Sequence, residues 1–182
     1  MVTILIILLG LIVAGILIFN RLVKGRNQVL AGWSDIDVQL TRRHDLVPQL
    51  VAAVKAYADY EQATLTAVTE LRLQSQGASG LAEKAHLEGE MASGIMRLIA
   101  VAESYPDLKA DENFQQLQRD LVEIEDYLQY ARRFYNGAVR IFNTRIESFP
   151  SLLIARPMGF HQAEFFAVSG DEVRDAPKIE LS

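Results

Sequence analysis

The stretch Val2–Phe19, VTILIILLGLIVAGILIF, constrains this chain more than any other feature. It holds no charged residue, and only Thr3, Gly10 and Gly15 interrupt a run of Val, Ile, Leu, Ala and Phe. As an α-helix it rises about 27 Å, close to the ~30 Å hydrocarbon core of a bilayer. A core helix of a soluble domain ordinarily carries a polar stripe, and this one has none. Residues 1–20 therefore read as a transmembrane anchor. A cleaved secretory leader wants a basic start and a small-x-small site after its apolar core. No basic side chain precedes the run, and Ile18-Phe19-Asn20-Arg21 offers no such site, so the anchor is expected to stay uncleaved. Arg21, Lys24 and Arg26 follow at once. The positive-inside rule then puts the body in the cytoplasm and the N-terminus outside, as a single-pass protein.

Composition bounds what the anchor carries. Of 182 residues, about 160 remain, enough for one domain with its own core. The absence of cysteine excludes disulfides, thiolate metal sites and lipid attachment through cysteine, and fits a reducing compartment. A formal charge of −5, with basic residues gathered beside the anchor, argues against a nucleic-acid surface. Prolines stand only at 48, 106, 150, 157 and 177, so long helices are expected between them.

The spacing of apolar residues supplies those helices. Leu22, Val29, Trp33, Ile36 and Leu40 continue the anchor helix with a bundle-like seam. The stretch Arg42–Pro48 is expected to break it, because proline in a helix interior loses a hydrogen bond and clashes with the preceding turn. Asp45 would cap a second helix running through Val47, Leu50, Val51, Val54, Tyr57, Ala58, Leu65, Val68 and Leu71 into Gln74–Gly80, a small, polar stretch that reads as a flexible loop. A third helix spans about Leu81–Ser104, with Leu87, Met91, Ile95 and Leu98 on one side and Glu83, Glu88 and Glu90 near the positive end of its dipole. Tyr105-Pro106-Asp107 stops it, and Asp111 caps a fourth. There Phe114, Leu117, Leu121, Ile124, Leu128, Ala131, Tyr135, Ala138 and Phe142 alternate by three and four up to Pro150. Nothing reads as a sheet. The expected fold is all-α: the transmembrane helix continuing into a long antiparallel four-helix bundle over residues 21–149, then a tail over 150–182.

That tail is irregular and apolar to about residue 168, then polar and loose from Ser169. Up-and-down geometry puts the Gly77–Gly80 loop and the Phe149–Phe166 region on the membrane side. Phe149, Leu152, Leu153, Ile154, Phe160, Phe165 and Phe166 are then the membrane-proximal set. They either strap the base of the bundle or meet lipid, and both can hold if some aromatics point inward and others outward. Arg42–Asp45 and Tyr105–Asp111 fall at the far end.

The run Gly32-Trp33-Ser34-Asp35-Ile36-Asp37-Val38-Gln39-Leu40-Thr41-Arg42-Arg43-His44-Asp45-Leu46-Val47-Pro48-Gln49-Leu50-Val51 resembles the signature of the LemA family. Later stretches resemble it too: Ala102–Ala110, Asn113–Gln118, Tyr130–Asn136, Asn143-Thr144-Arg145, Phe149-Pro150 and Gly159-Phe160. The likeness covers residues 20 to about 166 in unbroken order. It implies a single N-terminal span, a bundle of long antiparallel helices and bacterial origin, in the cell membrane. It also implies links to membrane organisation, with a magnetosome-membrane relative among its members, and brings no enzymatic activity or catalytic residue to carry over.

Candidate sites have structural alternatives. Glu83-x-x-His86 has the spacing of half a di-iron site, but a second Glu-x-x-His is needed and three histidines do not supply one. A solvated face is the better reading, with no metal and no cofactor. Arg42, Arg43, His44 and Asp45, joined by Asp107 and Lys109, form a charged set that either docks a partner or closes a helix corner as an ion-pair network. Glu125 and Asp126 stand about two turns from Arg132 and Arg133, so pairing with a neighbouring helix is expected. Tyr127, Tyr130, Phe134 and Ile141 form a second stripe on the fourth helix, core by default and otherwise a partner surface. These readings converge on a non-enzymatic membrane protein whose partners are the lipid bilayer, copies of itself as a homo-oligomeric scaffold, or another membrane protein. The alternative is a signal-relay or protease-adaptor module docking through the charged end.

Overall fold

The computed structural model describes residues 1–58 and 62–167. Among them there is no strand. The helices are α1 (Val2–Lys55), α2 (Gln62–Gly77), α3 (Leu81–Ala102), α4 (Pro106–Ala110), α5 (Glu112–Glu147) and α6 (Leu152–Ala155). The chain divides into two compact units, Met1–Leu40 with Asp126–Phe165, and Thr41–Glu125 with Phe166 onward. Both α1 and α5 contribute a segment to each.

In the first unit α1 and α5 run antiparallel. Arg145 Nη1 donates to the Arg21 carbonyl at 3.0 Å, Gly25 faces Phe142, and the Trp33 and Tyr135 rings meet edge-on at 6.0 Å. The seams read from the sequence are those that close: Leu22, Val29, Ile36 and Leu40 are buried, as are Leu128, Tyr135 and Phe142. Gly32 sets how near the helices come, since a Cβ there would lie 3.1 Å from the Tyr135 Cα. The apolar run Val2–Phe19 has no buried residue; Gly15 and Ile18 are half-buried and the rest exposed. After a cis Phe149–Pro150 bond the chain turns through α6 and back along α1 and α5.

The second unit holds a contiguous hydrophobic core. Val47, Leu50 and Val54 of α1 meet Leu65 and Val68 of α2, Met91, Ile95, Leu98 and Ile99 of α3, and Phe114, Leu117 and Leu121 of α5. Leu108 of α4 joins them. The α2–α3 pair is an antiparallel hairpin, with Ser75 on Glu88 near the turn and Val68 on Gly94 further along. A Cβ on Gly94 would fall 2.6 Å from Val68 Cγ2, so only glycine lets the helices approach this closely. Pro106 opens α4 in its first turn, where its missing N–H costs nothing. Asp111 then caps α5 as its position predicts, its Oδ1 accepting from the Phe114 N–H at 2.9 Å.

Two expectations about the helices fail. The stretch Gln74–Gly80, read as a loop, is helical as far as Gly77, and Ser75 within it is buried. The other concerns Pro48. No break occurs at Arg42–Pro48; α1 runs unbroken to Lys55 with Pro48 inside it, and Asp45 caps nothing. The chain turns instead after Lys55, where the Tyr57 and Ala58 N–H groups both donate to the Val54 carbonyl. Proline at 48 strips the carbonyl of residue 44 of its usual helical donor. Arg72, on α2, replaces that donor: its Nε donates to the His44 carbonyl at 2.7 Å. A charged guanidinium bond at the freed acceptor is stronger than the amide bond it stands in for. The proline is therefore tolerated. The tail beyond Ala167, including Val168 and the stretch read as loose, lies outside the described residues.

Candidate functional site

Two places in the fold carry the side chains that the sequence singles out. The first is a buried polar cluster in the second unit. Arg43 and His44 point inward from α1, at 6% and 5% exposure, onto Glu88 of α3, at 1%. Arg43 Nη2 lies 3.1 Å from Glu88 Oε2, and Arg43 Nη1 donates to Glu125 Oε2 of α5 at 3.1 Å. His44 Nε2 meets Glu88 Oε1 at 2.6 Å, and the Ser75 hydroxyl donates to the same oxygen. Burial by itself drives the Glu88 carboxyl upward. The His44 hydrogen bond, the Arg43 charge and the Ser75 hydroxyl together outweigh it and hold the group below its ordinary value. Glu88 is thus an ionised carboxylate in the interior, and its counter-charge comes from another helix.

A serine, a histidine and a carboxylate invite a catalytic reading, and the geometry argues against it. In a hydrolytic triad the serine contacts the imidazole, which contacts the carboxylate. Here serine and histidine both contact the carboxylate, and Ser75 has no exposed surface. The arrangement ties α1, α2 and α3 together through one carboxyl group, and Arg43 extends the tie to Glu125 of α5.

Of the charged set read as a docking end, Arg43 and His44 thus lie inside this network, while Arg42, Asp45, Asp107 and Lys109 are exposed. The expected pairing of Glu125 with a neighbouring helix is present, through Arg43. By sequence Glu88 reads only as an acid favoured by the helix dipole and Ser75 only as part of a polar stretch, not as members of a buried cluster. A signal for Glu88 existed: it stands three residues before Met91 and seven before Ile95, on the buried stripe of α3. His86 Nε2 lies 3.7 Å from Glu90, with both side chains half exposed, and Glu83 is exposed too. Among the described residues no group of three or more His, Asp or Glu is arranged to hold a metal ion.

The second place is the first unit. Tyr127, Tyr130, Phe134 and Ile141 do not widen the core of α5, as expected by default; all four are exposed, while the adjacent Leu128, Tyr135 and Phe142 are buried. With Asp35, Val38 and Gln39 of α1, the three aromatics line a shallow groove of about 390 Å³. The Arg133 guanidinium sits 4.7 Å from the centre of the Tyr130 ring. Below this groove the tail is pinned. Asn143 exchanges two hydrogen bonds of 2.9 Å with the Ala163 backbone, and the Tyr135 hydroxyl donates to the Glu164 carbonyl at 2.8 Å. Burial and the Glu164 charge raise the Tyr135 hydroxyl above its usual value, so it stays a donor. Of the membrane-proximal set, Phe160 packs on Phe19 and Phe142, and Leu152 and Ile154 are half-buried. Phe149, Leu153 and Phe165 are exposed, and Phe166 is buried. Some point inward and others outward.

Among the described residues the body is all-helical, and its N-terminal apolar helix, unburied and long enough to cross a bilayer, suggests a membrane-anchored class of helical protein. The chain belongs to the LemA family, whose model matches residues 32–181. It is similar to two magnetosome proteins, MamQ 1 and MamQ 2 of Paramagnetospirillum magneticum, at 26% identity over 81% of this chain and 64% of theirs. The chain thus spans a little under two thirds of their length. It is also similar to the LemA protein of Metamycoplasma hominis, at 25% identity over 89% of this chain and 74% of that one. The MamQ magnetosome protein of Magnetospirillum gryphiswaldense is 24% identical over 88% of this chain and 70% of its own.

Proposed function

We propose that this protein is a non-catalytic, self-associating scaffold of a bacterial membrane, tethered by Val2–Phe19 with its body on the cytoplasmic side. The observation that carries the reading is the exposed stripe Tyr127, Tyr130, Phe134 and Ile141 on α5, in the same unit as the anchor. Large apolar side chains repeating along one helical face, and left in solvent, are the usual mark of an interaction surface. A tether confines the copies to a plane, which raises the effective concentration for lateral contact. The basic flank Arg21, Lys24 and Arg26 supports the orientation. Kinship with magnetosome proteins supports a place in membrane organisation.

The test is the mass of the full-length protein in mild detergent, beside a chain starting at Asn20 and a full-length Tyr130→Asp/Phe134→Asp variant. A scaffold gives a discrete assembly from the pure protein, and the double variant, whose sites are exposed, falls to monomer with its helicity unchanged. If the Asn20 chain alone dissociates, the tether supplies the proximity. Monomers throughout would sink self-association and favour the adaptor reading, docked through the exposed Arg42, Asp45, Asp107 and Lys109.

A further inference from the structure

The tail strap lies beside the apolar run, not beneath it. The position of a Cβ on Gly15 is 3.9 Å from Ile154 Cδ1 of α6, and the Phe19 and Phe160 rings meet at 6.0 Å. Gly15 sits four residues inside Phe19, about 6 Å along the helix. The hydrogen bonds to Asn143 and Tyr135 hold the following residues on α5, so the strap is fixed at this level. Its inner side is satisfied, with Ala155 buried. Its outer side is not: Phe149 is 79% exposed, Leu153 65% and Met158 61%. Among the described residues, Arg21, Lys24, Arg26 and Arg156 are exposed near the same end of the unit, as is the acid Glu147, which accepts from Gln162.

We infer that α6 and its flanks are a second membrane-contacting element, an interfacial strap that sets Phe149, Leu153 and Met158 among lipid chains just inside the headgroups. The inference rests on reading Val2–Phe19 as a bilayer span. If that run occupies the hydrocarbon, a strap touching Gly15 lies within the 5–10 Å depth typical of interfacial helices (about 6 Å by the helix rise). Exposed apolar side chains that cost free energy in water then become favourable contacts, worth most for Phe149 and Leu153, the most exposed. The basic residues fall at headgroup height, where arginine and lysine anchor an apolar element by reaching outward. The span would thereby be fixed against rotation and tilt by a second point of attachment.

The chain has no cysteine, so single-cysteine reporters are clean. Full-length Leu153→Cys, Leu11→Cys and Glu123→Cys, each carrying an environment-sensitive fluorophore, are reconstituted in vesicles of phosphatidylcholine and phosphatidylglycerol. Lipids brominated near the headgroup end or at the chain end then quench by depth. The Leu153 reporter should lose most intensity to the shallow bromines, the Leu11 reporter to the deep ones, and the Glu123 reporter little to either. Leu153 behaving like Glu123 while Leu11 is quenched overturns the strap and leaves the span standing. Disulfide cross-linking of unlabelled Leu153→Cys chains, in place of quenching, would assign the face to a second copy and also overturn it. An unquenched Leu11 removes the span, and the strap with it.

Discussion

Arg72→Met tests why α1 continues through Pro48. The methionine keeps an apolar stem and removes the guanidinium donor, leaving the buried His44 carbonyl without the bond that Arg72 supplies. A hydrogen bond to a charged group contributes about 1.5–3 kcal/mol, so a loss of ~2 kcal/mol is expected. Pro48→Ala restores an N–H that can reach the same carbonyl and removes a proline that costs up to ~3 kcal/mol in a helix interior, so it should stabilise. In that background the carbonyl already has a donor, and Arg72→Met should cost only about 0.5 kcal/mol. The expected coupling is therefore ~1.5 kcal/mol, within the range seen for groups sharing one partner. Urea unfolding of the full-length protein in mild detergent, followed by far-UV circular dichroism, gives the four stabilities. Amide exchange across residues 42–52 localises the change. Equal cost of Arg72→Met in both backgrounds would refute the argument, because the guanidinium would then act through something other than the proline's orphaned carbonyl.

The other expectations concern the second unit. Glu88→Gln removes the buried countercharge of Arg43 while Glu125 remains, so a loss near 3 kcal/mol, the lower end for a broken buried pair, should appear in urea unfolding at neutral pH. Because the folded Glu88 carboxyl is held below its ordinary value of 4.5, its contribution is complete above that pH and disappears as pH falls through the lower folded value. The gap between wild type and Glu88→Gln should therefore narrow only in acid, and a gap independent of pH would rule out the charge as its source. Arg43→Glu sets a third carboxylate against Glu88 and Glu125 and should collapse the unit, whereas exposed Arg42→Glu should change the unfolding free energy by less than about 1 kcal/mol. Gly94→Ala gains up to ~1 kcal/mol of helix propensity but meets Val68 Cγ2 at 2.6 Å, an overpacking cost of about 1–3 kcal/mol. Net destabilisation relieved by adding Val68→Ala is expected in thermal melts; stabilisation by Gly94→Ala alone would mean the contact yields freely.

Much of the candidate site was hidden for one reason. Arg42, Arg43, His44 and Asp45 look alike in a list of charges, yet Arg43 and His44 face inward and their neighbours outward. That difference follows from the helix continuing past them; a break at Pro48 would have freed all four for a corner. The same misreading placed a cap on Asp45 and a long second helix after it. The aromatic stripe on α5 posed the opposite problem, since periodicity marks which residues share a face but not whether another helix covers it. Tyr135 is buried because Trp33 and the tail pack against it, while Tyr130 lies on the open groove beside α1.

By itself the sequence determined what local physics decides. An uncharged run of bilayer length, the helix seams of α1, α3 and α5, the Asp111 cap, and membership of the resembling family were all legible, because each depends on residues close together in the chain. Tertiary structure decided what depends on a partner far away. Pro48 sits inside a helix because the Arg72 guanidinium, 28 residues beyond His44, reaches the His44 carbonyl that the proline orphans, and Glu88 stays ionised in the core because Arg43 and His44 arrive from another helix. A proline or a buried charge is unfavourable in isolation. Only the fold supplies the group that compensates it.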